Sequence, residues 1–408
     1  MHVLISGASI AGPVLGYWLT RRGFEVTVVE RAPHLRKTGG HAIDLFGPAM
    51  DIAEQMGVSD AVLAHATGTN RITFRRPGRG RPTHIDYGKL SSTISARHVE
   101  IMRDDLSQMF YDAGRDDIEY LFGDHLTAID PDGRVEFAGA GSRKFDLVIG
   151  ADGLHSGVRQ LVFGEDSGHT EFLGAYLSVV SLPKSLVTAG EMTGYIDIDR
   201  TAMIYTADHL DDARAVFLFR PAGPFHHDHR DTAAQQRQLT ERFAGMSAEV
   251  DGWLDELGRT PAFYFDAITQ LQLTSWSRGR VTLVGDAGYC PGPAVGGSTS
   301  LAVIGAYILA GELAAADGDH TTAFPAYENV MREPVLGARV LAKNVAKSIL
   351  PSSPLGVRSF IGGMRLVSAL PRPLTDALAG LNRKGIRLYD SIRVPEYGSA
   401  FSTGTGSA

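Results

Sequence analysis

The 408-residue chain has one cysteine, Cys290. A single thiol excludes an internal disulfide and any multi-thiolate zinc site, and it fits a reducing compartment, so the cytoplasm is the expected location. Excess positive charge is also missing: 39 Lys and Arg against 46 Asp and Glu leave −7. A chain of that sign has no general attraction for nucleic acid or anionic lipid, and neither is expected as a partner. Long hydrophobic runs are absent as well. The longest, Leu301 to Gly311, stops at Glu312; it falls short of the roughly 20 residues that cross a bilayer and reads as a buried helix. Thr20-Arg21-Arg22-Gly23-Phe24 looks like a twin-arginine export signal, but Glu25 and Glu30 put charge where such a signal has an uncharged apolar stretch, so export is not expected. There is no Walker A pattern, no His-Glu-x-x-His and no repeat of 20 to 50 residues.

What is present is an ordinary globular composition, 44% apolar and 21% charged with 47 glycines, long enough for two domains. His2 to Ser6 reads as a strand ending at Gly7, Ala11 to Arg22 as a helix stopped by Gly23, and Glu25 to Val29 as a second strand, which makes a βαβ unit. Asp146 to Ile149 and Arg280 to Val284 read as buried parallel strands, each followed by Gly and Asp. The texture between them differs. Glu191 to Asp199, Arg200 to Ala207 and Ala213 to Arg220 alternate like antiparallel strands, and Ile72 to Arg75 with Thr83 to Tyr87 reads as a hairpin of the same sheet. Ala233 to Phe243 and Pro334 to Leu350 read as helices, and Phe401 to Ala408 as a frayed tail.

Gly7-Ala8-Ser9-Ile10-Ala11-Gly12 lies between the first strand and the first helix, where a dinucleotide fold sets helix-start amides against a pyrophosphate. Ser9 replaces the usual middle glycine. Glu30 ends the second strand 18 residues after Gly12, close to the spacing of a carboxylate that binds ribose hydroxyls. A plain strand-helix turn with a surface glutamate is the bland alternative. A serine-hydrolase elbow begins at Gly7 and Ser9 but breaks at Ala11. His226-His227-Asp228-His229 sits in an apparent loop and reads as solvated rather than metal-binding; no metal is expected.

Two further stretches bring a resemblance. Gly150-Ala151-Asp152-Gly153-Leu154-His155-Ser156-Gly157-Val158-Arg159 and Gly285-Asp286-Ala287 with Pro293 and Gly296 are similar to the Asp-Gly and Gly-Asp motifs of the single-component, FAD-dependent aromatic hydroxylases. Glu30-Arg31 and Arg103 followed by Leu106 also match positions that contact FAD in that family. Gly39-Gly40 followed by Asp44-Leu45 resembles the tetracycline-inactivating and antibiotic-tailoring members. Two departures stand out: Tyr289 replaces a histidine, and Gly297-Ser298 with Ser300 replaces Gln-Gly with Asn.

The resemblance implies an α/β fold: a Rossmann-like FAD-binding domain, an inserted β-rich substrate domain and a C-terminal helical segment. The expected boundaries are 1–70, 96–165 and 276–335 for the first, 71–95 and 166–275 for the second, 336–400 for the third, and 401–408 for a flexible tail. The FAD contacts it implies are Gly7, Ser9, Ile10, Ala11, Gly12, Glu30, Arg31, Asp44, Arg103, Asp152, Asp286, Pro293, Gly296, Gly297 and Ser298. The implied reaction hydroxylates an electron-rich aromatic or polyketide-like small molecule. NADPH or NADH acts as a transient reductant, since no second Gly-rich turn is present, and dioxygen adds to the flavin to give a hydroperoxide that donates one oxygen. No side-chain acid-base triad is required, and none is assigned. An FAD-linked dehydrogenase, or a flavin-binding protein without catalysis, would carry the same nucleotide motifs. Apart from the resemblance, residues Gly296 to Thr299 open an apolar helix whose free amides suit the anionic end of a reduced flavin. Arg71, Arg75, Arg76, Arg79 and Arg81 gather at the hairpin and read as a solvated edge or an anion attractor. Phe217, Phe219, Tyr195, Tyr205 and Phe225 read as core aromatics or as the lining of a pocket.

Overall fold

The computed structural model describes residues 1–35, 39–95, 97–164, 168–221, 231–293, 297–371 and 388–397. Strand His2–Ser6 buries Val3, Leu4, Ile5 and Ser6, because it runs through the middle of a six-stranded sheet covered on both faces. On one side it pairs in parallel with Glu25–Glu30 and on the other with Leu147–Gly150, so Leu4 faces Thr27 and Val148. Val281–Leu283 adds in parallel beyond Leu147–Gly150, and Glu119–Phe122 adds beyond Glu25–Glu30. Helix Ala11–Thr20 comes directly after the first strand and packs on helices Arg103–Gly114 and Ser298–Ala315.

Helix Ser298–Ala315 is, among the described residues, the one long and apolar enough to cross a membrane by length and composition. It is the centre of the core instead, buried continuously from Ser300 to Gly311. The long helix His320–Ser348 lies along it through Phe324, Tyr327 and Met331. This long helix starts 14 residues before the expected Pro334, and both Pro325 and Pro334 lie inside it. An internal proline costs about 3 kcal/mol, and the buried stripe of Ala323, Phe324, Tyr327, Met331, Val335, Ala338 and Ala342 outweighs that cost.

A second sheet has seven strands in the order Phe263–Leu271, Thr170–Pro183, Asp212–Phe219, Arg200–Tyr205, Glu191–Asp197, Arg71–Arg76 and Arg79–Asp86. Neighbours are antiparallel except where Arg71–Arg76 meets Glu191–Asp197, which docks the early hairpin onto the inserted strands. Successive side chains alternate between its faces. Phe217, Phe219, Tyr195 and Phe265 turn to helices Thr232–Phe243 and Ala248–Asp255 and form a core with Phe243 and Trp253. Leu177, Val179, Leu218, Ile268 and Tyr264 occupy the other face with Leu350. Of the five aromatics expected in the core or a pocket, Phe217, Phe219 and Tyr195 are therefore core, Tyr205 lies on the opposite side, and Phe225 is outside the described residues, as are the histidines 226, 227 and 229 and the tail 401–408.

Helix Pro354–Ala369 covers the early hairpin, packing Val357, Phe360, Ile361 and Met364 against Ile72, Phe74 and Ile85. Residues 388–397 then run back along the core helix. Tyr389 stacks on Phe46 with ring centroids 4.8 Å apart, and Tyr397 donates to Glu312 Oε1 at 2.7 Å.

Candidate active site

The Gly-rich turn is shaped by backbone crowding. Gly7 has φ +109°, and a Cβ there would lie 2.5 Å from the Ala151 carbonyl oxygen; on Gly12 it would lie 1.9 Å from the Gly7 oxygen. Both positions exclude any side chain, which seats helix Ala11–Thr20 directly on the strand end. That helix has no side-chain cap at Ile10, so its first amides are left for an external acceptor. Ser9 is held from the side, its carbonyl accepting the Ser107 hydroxyl at 2.9 Å. Glu30 closes the turn: Ala8 N donates to its Oε2 and Ala32 N to its Oε1, both at 2.9 Å. Arg31 is exposed beside Gly157.

The three motif stretches converge. Asp152 accepts from Val158 N at 3.2 Å, from the Ser156 hydroxyl, and from Ser6 Oγ at 3.5 Å, so it caps helix Gly157–Phe163 while touching the first strand. Burial raises the Asp152 carboxyl above its ordinary value. Arg159, fully buried, donates to the Ala287 carbonyl at 2.8 Å and ties that helix to the Gly-Asp turn. Gly285, at φ +66°, fits between Ala11 and Ala302, where a Cβ would meet both at 3.2 to 3.3 Å. Asp286 is half-buried and accepts from Ser298 Oγ at 2.7 Å. Desolvation raises its carboxyl, opposed by the Ser298 hydroxyl, the Cys290 thiol and the charge of Arg103. Ser298 opens the core helix, which has no side-chain cap, so a second set of free amides points to this region. Gly297 precedes it at φ +81°, where a Cβ would fall inside the Tyr389 ring. Pro293 lies in the turn before it, half-buried; Gly296 is outside the described residues.

Arg103 is the half-buried cation of the site. Its backbone N–H donates to His41 O at 3.1 Å, but its Nε is buried with no hydrogen-bond partner among the described residues. It lies within electrostatic reach of His41, Tyr264 and Asp286. Burial, followed by the charge of Arg103, pushes His41 down to about 4 and keeps it neutral. A half-buried cation beside two uncapped helix starts fits a dinucleotide carrying a pyrophosphate. Gly40 belongs here for a steric reason: its amide donates to Asp104 Oδ2 at 2.8 Å, and a Cβ would collide with that carboxylate.

Asp44 is already engaged by a protein partner, His98 Nε2 at 2.6 Å. Glu100 sits behind this pair and accepts from the Tyr87 hydroxyl at 3.0 Å and from the Thr67 hydroxyl. Burial raises the Glu100 carboxyl, with Asp44 adding to it. His98 is desolvated, yet the hydrogen bond and charge of Asp44 hold it above its ordinary value.

Facing these elements is a polar strip of the seven-stranded sheet that no sequence motif marks. Asp266 accepts from His155 Nε2 at 2.8 Å and lies 3.3 Å from the Tyr264 hydroxyl, and the Tyr264 ring stacks near His41. Arg214, 4% exposed, donates through Nε to Gly40 O at 3.0 Å, while Ala42 N donates to the Tyr205 hydroxyl at 2.7 Å. Each is a lone polar residue in a strand, with no spacing signal to reveal it. Tyr289, at the histidine position, points into the core, where its hydroxyl meets that of Tyr327 at 3.1 Å. The hairpin arginines lie elsewhere. Arg71 pairs with Glu191 at 2.9 Å, and Arg75 and Arg76 line an open hollow of about 370 Å³ with Tyr195 and Glu249, on the sheet face away from the converging motifs. Among the described residues no group of side chains is arranged to hold a metal.

Comparisons with known proteins match this arrangement. Residues 1–322 match the family model described as an FAD binding domain. The chain is 42% identical over 334 residues to an uncharacterized protein of Mycobacterium tuberculosis, covering 80% of this chain and 88% of that one. It is 37% identical over 381 residues to a flavin-dependent monooxygenase from an unknown prokaryotic organism, covering 92% and 97%. The crystal structure of the tetracycline destructase Tet(55) superposes with a TM-score of 0.81 at 34% identity, covering 97% of this chain and 98% of that one. The chain belongs to the FAD-dependent aromatic hydroxylases: it is a flavoprotein monooxygenase with FAD as its cofactor.

Proposed function

We propose that this monooxygenase hydroxylates an electron-rich aromatic or polyketide-like small molecule, using NADPH or NADH as a transient reductant and dioxygen as co-substrate. The observation that carries the reading is the convergence of two uncapped helix starts and Arg103, whose Nε has no partner among the described residues, opposite the polar strip of Tyr264, Asp266 and Arg214. When bound, FAD supplies the redox chemistry, accepting two electrons from the nicotinamide and passing one oxygen atom of dioxygen to the substrate.

The chain's own residues bind and orient. The amides of Ala11 and Gly12, with Gly7, Ser9 and Ile10 shaping the turn, would hold the pyrophosphate, and Glu30 with Arg31 would take the ribose. Arg103 would neutralise phosphate charge. Asp286 would hold the ribityl chain, and the amides of Gly297 and Ser298, after Pro293 and Gly296, would stabilise negative charge on the reduced ring. Asp152 and Asp44 act from behind: the first caps the Asp-Gly turn and the second is held by His98. The buried sheet face excludes water from the junction. We place the protein in the cytoplasm on the basis of its single thiol.

The test is incubation of the FAD-loaded protein with NADPH, labelled dioxygen and a panel of hydroxynaphthoates and tetracycline-type polyketides. One heavy oxygen in a product is the expected result. Oxidised product without label would favour a dehydrogenase, and unchanged substrate with no flavin bleaching would favour a non-catalytic flavin binder.

A further inference from the structure

The monooxygenase reading gives the charge of the His98–Asp44 pair no role. Asp44 lies on strand Ala42–Leu45, whose end is pinned to the first turn of the core helix: Ser300 Oγ donates to Asp44 O at 3.2 Å and accepts from Phe46 N at 3.0 Å. The Tyr389 phenol lies within electrostatic reach of both Asp44 and Asp286, and its ring fills the space a Cβ on Gly297 would need. The Asp44 carboxylate is therefore a neighbour of the helix start that faces the reduced ring. Its side chain keeps 29% exposure and that of His98 keeps 8%, so the pair is enclosed without being sealed from water. An ionised carboxylate only accepts, so His98 Nε2 carries the hydrogen of their 2.6 Å bond, and Nδ1 is the nitrogen that gains a proton when the imidazole charges.

The groups that bear on His98 are acids, a phenol and an apolar ring. Asp44 reaches it from the neighbouring strand and Glu100 from its own strand Val99–Met102. The rings of Tyr87, on helix Tyr87–Ile94, and of Phe46 lie with centroids 6.2 Å and 5.6 Å from the imidazole. Arg97, next in sequence, turns away to Asp51 and Glu54. Burial opposes charge on the imidazole, but the hydrogen bond and charge of Asp44 outweigh it and hold His98 above its ordinary value. A further negative charge arriving beside Asp44 acts in the same direction. We infer that the His98–Asp44 pair takes up one solvent proton when FAD is reduced, and so ties the reduction potential of the cofactor to pH. Hydride from the nicotinamide carries two electrons and one proton to the ring. The second proton comes from water and stops on His98, where it offsets the new charge through Asp44. His98 is thus a positioning residue for charge, acting on the ring through its partner.

The experiment is a potentiometric titration of the FAD-loaded protein from about pH 6 to pH 9, without substrate, so its result stands apart from the hydroxylation reading. Each proton taken up with two electrons lowers the midpoint by about 30 mV per pH unit. The wild type is expected to show a segment above pH 6.5 that falls by about 60 mV per unit, and His98→Gln to fall by about 30 mV per unit across the same segment. Asp44→Asn keeps the shape but not the charge; it should flatten the segment in the same way, and it serves if the glutamine variant does not fold. A wild-type slope of about 30 mV throughout would overturn the inference. So would a steep segment that survives in His98→Gln, which would assign the second proton to Glu100 or to the ring. At the alkaline end, Asp44→Asn should also raise the midpoint. A midpoint unmoved there would refute the placement of the ring beside Gly297 and Ser298, on which the inference rests.

Discussion

Replacing Arg103 with methionine should move two measurable quantities in opposite directions. Without FAD, the buried Nε has no acceptor among the described residues, and the cation sits at the first position of helix Arg103–Gly114, against the positive end of the helix dipole. Relieving the dipole is worth about 0.3 to 1 kcal/mol, and removing an unsatisfied buried donor adds about 1 to 3 kcal/mol. Part of that gain is lost because methionine packs less fully than the arginine stem. The helix keeps Asp104 and Asp105 in its first turn, and the backbone bond from residue 103 to His41 O does not depend on the side chain. A net gain of about 1 kcal/mol would raise the apo-protein melting temperature by about 1 to 2 °C for a chain of this size. With FAD present, charge-assisted bonds worth about 1.5 to 3 kcal/mol are lost, a weakening of about 10- to 150-fold. Apo melting curves and a fluorescence titration with FAD measure the two effects. A variant that melts lower without FAD and binds it as well as the wild type would refute the argument, because Arg103 would then be a structural residue with an undetected partner.

Three further outcomes are expected. Gly12→Ala places a Cβ 1.9 Å from the Gly7 oxygen, so the helix must shift off the turn, and FAD retention on gel filtration should be lost. His41 stays neutral in the fold down to about pH 4, whereas the unfolded chain protonates near 6.5; its contribution is therefore intact above pH 6.5 and lost as the pH falls to 4, up to about 3 kcal/mol. Urea midpoints at pH 7 and pH 4.5 should then differ less in His41→Gln than in the wild type; parallel behaviour would count against a histidine held neutral in the fold. Gly297→Ala forces a side chain into the Tyr389 ring at a positive φ, and limited proteolysis should cut within 388–397 sooner than in the wild type, with a cost of at least about 1 kcal/mol.

The nucleotide-binding half is the more legible part of the sequence because its signals are local. A short aliphatic run that must be buried on both faces and ends on a glycine can hardly be anything but a parallel strand entering a turn, as at Ile5 to Gly7 and Val148 to Gly150. The seven-stranded sheet is only partly legible. Strand Thr170–Pro183 lacks clean alternation because a bulge between Phe172 and Tyr176 resets its pairing. The long helix begins well before its expected start because proline inside a helix is a strong local stop signal, overruled here by packing that only the tertiary structure supplies. Asp44 stands at a cofactor-contact position of the family, but its immediate partner, His98, lies 54 residues away with no pattern linking them. Arg103 is found through its family position, whereas its Nε, buried with no partner among the described residues, is visible only in the fold.

The first strand sits between segments that begin at residues 25 and 147, and the next strand outward begins at residue 281. On the ribosome, the earliest residues must therefore wait for more than two thirds of the polypeptide before their sheet gains its last parallel neighbour. Pairing at such separations is slow. A ligand bridging all three regions would latch them only after synthesis has passed the core helix, so coenzyme supply during expression should govern the yield of native molecules more than it governs the stability of finished ones.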